Sequence, residues 1–441
     1  MTADKKPIGF YAATALVIAN MVGTGVFTSL GYQVFDTKTV FALLMLWVVG
    51  GIIAFCGAVS YSELGAAMPR SGGEYHYLSK IFHPSLGFLS GWISVIAGFG
   101  APIAAAAMAL GGYVNKVYPG LNDVYVGAVV VVLITLVHSF DVKKGANFQL
   151  VFTIIKVLLI IVFIGCGFFA STHQSISILP AETSWKEIFS GSFAVSLVYV
   201  SYAYSGWNAS AYVAGEIDNP QRNLPRSILQ GTFLVMILYV LVNFIFLYTT
   251  PIPEIMGQKE VGFFSAGHIF GETGGNIMSM IISMLLISTI SSMVLAGPRV
   301  TQMIGQDLPS LKVLAITNKK RVPFVAILLQ STIALILIFT SKFDTVVTYL
   351  GFTLSLFTTL TVIGLFVLRI KKPDLPRPYK TWGYPVTPVI FIALNIWVMY
   401  FLIDKKPIIA AYGFGTILVG LVFYYLEKML SGNKNENQNN N

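Results

Sequence analysis

Long apolar runs separated by short polar segments make up most of the chain. A membrane-spanning helix needs about 20 mostly apolar residues. The hydrophobic pattern predicts twelve such spans, at 8–30, 39–66, 86–115, 124–140, 147–171, 188–214, 227–250, 274–300, 323–341, 343–368, 385–403 and 407–430. The pattern therefore predicts an all-α integral membrane protein with 12 transmembrane helices.

Two of these spans are interrupted by glycine and polar residues, and the interruptions lie five spans apart. They fall at 20–27 in span 1 and at 202–208 in span 6. Irregular backbone inside a membrane survives only beside protein or a water-filled cavity, and matched glycine-broken spans point to a transporter's substrate site. Spans 1–5 and 6–10 form two candidate halves, and an odd number of spans per half inverts the second. For a lone Gly-x-Gly, the alternative is close helix packing.

Composition agrees with a membrane protein. The 441 residues are 55% hydrophobic and 11% charged, with a mean hydropathy of +0.75. Soluble domains carry roughly 25% charged residues. The two cysteines, Cys56 and Cys166, lie in apolar spans and exclude a disulfide scaffold.

Lysine and arginine are distributed unequally between the two sides of the predicted membrane. Twenty of the 28 fall on the side of the N-terminus, seven on the opposite side, and Lys156 inside a span. The positive-inside rule then places both termini in the cytoplasm, as twelve spans require, in the plasma or inner membrane. The net charge of +9 needs no nucleic-acid partner. The predicted divisions are a tail at 1–7, two five-helix repeats at 8–185 and 186–368, helices 11–12 at 369–430, and a disordered tail at 431–441.

The first break offers chemistry that suits an amino acid. Gly23 and Gly25 allow a ligand to approach the backbone closely. The helix restarting near Val26 points free amides into the break, which suits a carboxylate. The helix ending near Met21 presents free carbonyls, which suit an ammonium, and the second break can do the same around 203–206. Paired donors and acceptors match an α-amino acid.

Four motifs carry a family resemblance. Gly-Thr-Gly-Val-Phe at 23–27, together with the stretches at 61–75, 216–225 and 377–388, resembles the amino acid–polyamine–organocation transporters. Tyr-Ala-Tyr-Ser-Gly-Trp-Asn at 202–208 is closest to the L-type amino acid transporter branch and its bacterial relatives. The similarity extends over most of the chain, from about residue 8 to 430.

The resemblance implies a LeuT-like fold, a 5+5 inverted repeat with helices 1 and 6 broken. It implies that the Thr24 and Gly25 amides hold the substrate carboxylate, that carbonyls of the breaks hold the amine, and that Tyr202 is an aromatic gate. Asn208 is a further candidate for the pocket wall. The expected substrate-binding residues are Met21, Gly23, Thr24, Gly25, Tyr202, Ala203, Ser205 and Asn208.

Lys156 lies deep in span 5 among apolar neighbours. A charge at the bilayer centre costs at least about 2.5–3.5 kcal/mol, so such residues are usually functional, although snorkelling to the surface is the alternative. By resemblance, its ammonium takes the place of the Na⁺ that bridges spans 1 and 8 in sodium-coupled relatives. It would contact span-1 carbonyls at 19–22 and span-8 hydroxyls. The expected hydroxyls are Ser288, Ser291 and Ser292. Two mechanisms stay open: release of a proton in each cycle, or a fixed cation that supports sodium-independent exchange.

Other polar residues near the spans are expected to be structural. Glu63 and Glu74 are expected to pair with Arg70, Arg222 or Arg226, and His138 is expected at the membrane interface. No metal site, cofactor or phosphate-binding loop is predicted.

The sequence thus predicts a secondary active amino acid transporter that works by alternating access and is not an enzyme. A neutral substrate is favoured because no acidic residue lies in either break. It would move by exchange or by H⁺ symport. A cationic amino acid or polyamine is the alternative, and a non-transporting amino acid sensor is the alternative of a different class. The predicted partners are the amino acid, membrane lipid and, in one mechanism, H⁺; the oligomeric state and the particular amino acid stay open.

Overall fold

The computed structural model describes the backbone of residues 8–140, 145–320 and 322–439, with side chains in these ranges except at 145–149 and 430–439. The regular secondary structure of this part of the chain is helical, apart from one isolated bridge between Ile8 and Ile217. The helices are α1 (Phe10–Met21), α2 (Thr24–Gln33), α3 (Val40–Ala67), α4 (Glu74–Ile81), α5 (Pro84–Ile93), α6 (Ala101–Val117), α7 (Asp123–Phe140), α8 (Gly145–Phe168), α9 (Glu182–Ile188), α10 (Gly191–Tyr204), α11 (Ala209–Tyr212), α12 (Pro220–Thr249), α13 (Ile252–Ile255), α14 (Val261–Asp307), α15 (Phe324–Thr340), α16 (Phe343–Lys371), α17 (Val386–Lys405) and α18 (Pro407–Asn439).

Ten helical stretches of the described chain are long and apolar enough to cross a membrane. They are Phe10–Gln33, Val40–Ala67, Pro84–Val117, Asp123–Phe140, Leu150–Phe168, Pro220–Thr249, Val261–Asp307, Phe343–Lys371, Val386–Lys405 and Pro407–Met429. The other two predicted spans are shorter here. Span 6 is divided between α10 and α11, and span 9 is the 17-residue α15.

The ends of the chain bear on two predicted segments. The tail at 1–7 lies outside the described residues. The last helix continues through Asn439, into the segment 431–441 whose composition predicts disorder. The division into repeats and tails stays a prediction.

The third candidate span changes its helical winding midway. A π-helical turn, Ser94–Gly100, joins α5 to α6. Pro102 lacks an amide hydrogen, so one regular helical bond is missing at this junction. Such π turns often occur at functional sites, and this one carries Ser94, Gly98 and Phe99 towards the centre of the molecule.

The outer helices and the broken helices differ in burial. α7, α8, α17 and α18 expose large apolar side chains, such as Leu133, Ile161, Tyr400 and Leu418, as helices facing lipid do. The stretch from α1 through α2 and the one from α5 through α6 are mostly buried. α12 packs against α3 and α1, α6 packs against α14, and α10 packs against α2. The broken helices therefore lie in the interior of the bundle.

Buried ion pairs join the end of α3 to the end of α16 and to the segment after it. Glu63 accepts hydrogen bonds from Arg369 Nη2 at 2.6 Å and from the Thr381 amide at 2.8 Å, and Arg377 Nε lies 3.3 Å away. The sequence-based pairing of Glu63 with Arg70, Arg222 or Arg226 is wrong. The cause is tertiary: the 372–381 segment folds back over the end of α3, which sequence distance conceals.

Glu63→Gln is expected to lower the free energy of unfolding by about 3 kcal/mol, since removing one member of a buried pair leaves the other charges uncompensated. The measurement is the apparent melting temperature of the purified protein in detergent. Glu182→Gln breaks an exposed pair with Lys186 and should change stability by no more than about 0.5 kcal/mol. Equal melting temperatures of the two variants would show that the ion pairs of Glu63 do not stabilise the fold.

Candidate functional site

The first helix break separates α1 from α2 at Val22 and Gly23. Val22 (ψ 86°) and Gly23 (φ −134°, ψ −144°) leave helical geometry between Met21 and Thr24. The first amides of α2 and the last carbonyls of α1 lack partners within their own helices. The break therefore brings unpaired donors and acceptors into the buried interior.

The second break lies between Tyr204 and Ala209. Gly206 takes φ +94°, a conformation open mainly to glycine. A Cβ on Gly206 would lie 2.8 Å from the Cβ of Asn20, and a Cβ on Gly25 would lie 2.3 Å from the Cα of Ala203. The two breaks are in direct contact, so close packing is part of the role of both glycines.

The hydroxyl of Tyr239, on α12, lies between the two breaks. Its oxygen is 2.5 Å from the carbonyl oxygen of Met21 and 3.2 Å from that of Ala203. The Met21 carbonyl, expected to hold a substrate amine, therefore already accepts one hydrogen bond within the protein and keeps one lone pair for another donor; its role in binding stays a prediction. Sequence reasoning missed Tyr239. The available signal was a tyrosine followed one turn later by Asn243 in an otherwise apolar span.

A side-chain hydrogen bond also crosses the breaks. The hydroxyls of Thr24 and Tyr202 bond to each other, and both residues are buried. The Tyr202 carbonyl accepts the Ser205 amide at 3.0 Å, which leaves one lone pair for another donor. The expected gate residue is thus bonded to one of the residues expected to bind the carboxylate.

Lys156 is fully buried and joins α8 to the first break. Its ammonium donates to the Val22 carbonyl at 3.2 Å and to the Thr289 hydroxyl at 2.8 Å. Thr289, on α14, also lies 3.3 Å from the Val22 carbonyl. The carbonyl falls within the expected range 19–22, and the ammonium does not reach the surface.

The hydroxyl that meets Lys156 differs from the three expected serines. Ser288 has no hydrogen-bond partner in the described chain, Ser291 bonds His138 Nε2 at 2.7 Å, and Ser292 donates to the carbonyl of Thr289 at 2.8 Å. Successive side chains of an α-helix point in directions about 100° apart, so Ser288 and its neighbour Thr289 lie on different faces of α14. The His138 side chain, expected at the membrane interface, is buried against α14; its depth in the membrane stays a prediction.

A central cavity of about 80 Å³ lies beside the breaks. It is lined by Asn20 at the end of α1, by the second break from Ser205 to Asn208, and by Glu74 of α4. Ser205 and Asn208 are therefore expected site residues that line the cavity. The expected residues that do not line it are Met21, Gly23, Thr24, Gly25, Tyr202 and Ala203.

Glu74 is a cavity residue that sequence reasoning assigned to a structural ion pair. In the described chain it forms no ion pair, and Arg70 pairs with Asp307 at 3.0 Å instead. Glu74 Oε1 accepts hydrogen bonds from Tyr61 at 2.8 Å and from Asn208 at 2.5 Å. The turn at 72–73 carries this carboxyl across to the second break, which linear spacing does not reveal. Within the described residues, no cluster of His, Cys, Asp or Glu could hold a metal ion.

Comparison with known proteins decides the family. A model described as "Amino acid permease" matches residues 8–424. The chain belongs to the amino acid permease family. Mouse large neutral amino acids transporter small subunit 2 is 31% identical, over 96% of this chain and 81% of the relative. Mouse b(0,+)-type amino acid transporter 1 is 27% identical over 96% and 88%, and mouse Asc-type amino acid transporter 1 is 28% identical over 96% and 81%.

These relatives confirm the resemblance to the amino acid–polyamine–organocation superfamily and to its L-type branch. With its apolar helices, this permease is a multi-pass membrane protein of amino acid transport.

Gly25→Ala is expected to disrupt the contact between the breaks, because the added methyl would overlap Ala203. We expect a loss of amino acid uptake of at least about tenfold, equivalent to about 1.4 kcal/mol in the transport barrier. Gly165→Ala in α8 is the matched control, since nothing lies within 4 Å of its added methyl. Uptake by reconstituted protein measures both variants; normal uptake by Gly25→Ala would contradict the packing described here.

Proposed function

We propose that this permease is a sodium-independent secondary transporter of amino acids that works by alternating access. The observation that carries the proposal is the contact of the Lys156 ammonium with the Val22 carbonyl and Thr289. A fixed cation between the first break and α14 takes the place that a sodium ion would need. A positive charge supplied by the chain supports coupling without Na⁺.

The proposed architecture is the twelve-helix, 5+5 inverted repeat of LeuT-like transporters. Two helix pairings support it. α3 packs against α12, and the stretch from α5 through α6 packs against α14. Counted in predicted spans, these pairs are 2 with 7 and 3 with 8, each five spans apart, which is the spacing of equivalent helices in an inverted five-span repeat. The uneven distribution of Lys and Arg supports cytoplasmic termini in the plasma or inner membrane.

The proposed substrate-binding site lies where the two breaks meet the cavity. Thr24 and Gly25 begin α2 and offer its first amides to a carboxylate. Acceptors for the amine remain at the second break, where Ser205 follows α10 and lines the cavity. Because Tyr239 and Tyr202 bond to atoms of this same region, substrate entry must exchange some of these internal bonds for bonds to substrate.

A neutral amino acid remains the first candidate, and a cationic amino acid or polyamine is the second. The second candidate is supported by Glu74, because a carboxyl on the cavity wall could pair with a cationic side chain. Uptake of labelled alanine, leucine, arginine and putrescine by proteoliposomes, with and without internal substrate, Na⁺ and a pH gradient, distinguishes the two. We expect alanine or leucine uptake without Na⁺. Binding without any uptake would instead support a sensor.

Lys156→Ala is expected to slow amino acid uptake by at least about tenfold while substrate still binds. The variant removes hydrogen bonds of a charged donor, each worth about 1.5–3 kcal/mol, that connect α8 to the first break and α14. Uptake in proteoliposomes and substrate-induced thermal stabilisation measure the two properties separately. Lys186→Ala, at an exposed position on α9, is the control. Uptake at the wild-type rate by Lys156→Ala would refute the coupling role.

A further inference from the structure

Glu74 is a buried carboxyl without a counter-charge. Glu74 is 3% exposed and is the first residue of α4, which lies outside the ten candidate spans. The titratable groups that face it are phenols: Tyr61 on α3, Tyr77 on α4 and Tyr212 on α11. In the described chain no Lys, Arg or His forms an ion pair with it. A carboxylate in such a place is costly unless it is paired or takes up a proton.

The hydrogen bonds to Glu74 are unequally divided between its two oxygens. Oε1 accepts from both Tyr61 and Asn208, whereas Oε2 forms no hydrogen bond of good geometry with a described residue. This division suits a protonated acid, with Oε1 as the carbonyl oxygen and the proton on Oε2. Burial also raises the pKa of Glu74, and this effect exceeds the opposite one of the amide and hydroxyl donors around the carboxyl.

Glu74 is covered by one face of the protein, which is formed by the turn before α4 and by α11. Gly72 and Gly73, both with positive φ, turn the chain so that α4 begins against Tyr212. The Gly72 amide donates to the Tyr212 carbonyl at 3.1 Å, and the Gly215 amide donates to Ser71 Oγ at 3.0 Å. Movement of α11 away from this turn would take Asn208 and Tyr212 from the carboxyl and admit water.

We propose that Glu74 is the proton-binding site that couples transport to H⁺, protonated while α11 covers it and ionised once this face opens. The inference rests on the alternating-access function proposed above and names its coupling ion. The closed state holds the proton, so acid favours closure, and stability of the closed face is lost as pH rises through the raised pKa of Glu74. A neutral Glu74 also leaves the cavity without a fixed negative charge, which favours a neutral substrate.

The transport test uses purified protein in liposomes that contain a pH-sensitive dye. Exchange of labelled amino acid at equal pH on both sides is measured first, because its absence would refute the transporter and not the proton site. With acid outside, the wild type should bring H⁺ inward with substrate. A gradient of one pH unit can drive up to about tenfold accumulation when one proton accompanies each substrate.

Glu74→Gln mimics the protonated acid and should retain exchange within about threefold, an amount worth less than 1 kcal/mol, while losing both proton entry and stimulation by the gradient. Glu260→Gln is the matched control, since Glu260 is also a buried acid but lies outside the cavity lining; it should keep both. Proton entry that persists in Glu74→Gln would overturn the proposal. So would an equal loss in both variants, or a loss confined to arginine uptake, which would make Glu74 a specificity residue.

An infrared measurement tests the proton itself and does not depend on transport. At neutral pH the wild type should show the carbonyl absorption of a protonated carboxylic acid that Glu74→Gln lacks. If that variant fails to fold, Glu74→Asp should shift the same band. Spectra in which neither substitution changes this band would contradict a protonated Glu74.

Discussion

The hydrogen-bonding demand of two interrupted helices governs the interior of this protein. Each break leaves peptide groups without helical partners where water is scarce, and unsatisfied groups there are costly. The structure satisfies these groups by placing the breaks against each other and by adding two side chains from other helices. The hydroxyl of Tyr239 lies within hydrogen-bond distance of the Met21 and Ala203 carbonyls, and the ammonium of Lys156 donates to the Val22 carbonyl. The contact requires glycine where the backbones meet, since a methyl on Gly25 would overlap Ala203.

The same contacts make the site capable of change. Hydroxyl and ammonium donors can exchange one carbonyl for another, or for a substrate group, at small net free energy, because one hydrogen bond replaces another. A core of apolar contacts alone would lack this property. The cavity beside the breaks adds a second set of polar groups, Asn208 and Glu74, whose bonding connects the second break to the turn before α4. Binding at the breaks and closure of that face therefore share residues.

Buried ionisable groups are held in two different ways in this permease. Glu63 is neutralised by two guanidinium groups and ties the 372–381 segment to α3. Lys156 and Glu74, in contrast, are buried without an opposite charge in the described chain, and each is held by neutral hydrogen-bonding groups of the breaks or the cavity. Paired charges stabilise one structure. Unpaired ones suit a mechanism in which the surroundings change between states.

The amino-acid sequence by itself determined the class of protein, the places where the helices break and the buried lysine, because hydropathy, glycine and a charge within an apolar run are local signals. The family followed from short motifs, and comparison confirmed it. Only the tertiary structure decided which atoms meet. The hydroxyl that bonds Lys156 belongs to Thr289 and not to a neighbouring serine. The hydroxyl of Tyr239 donates to the Met21 carbonyl, and Glu74 lines the cavity. These outcomes depend on helix rotation and on chain reversals between distant segments, and one residue along a helix turns a side chain by about 100°.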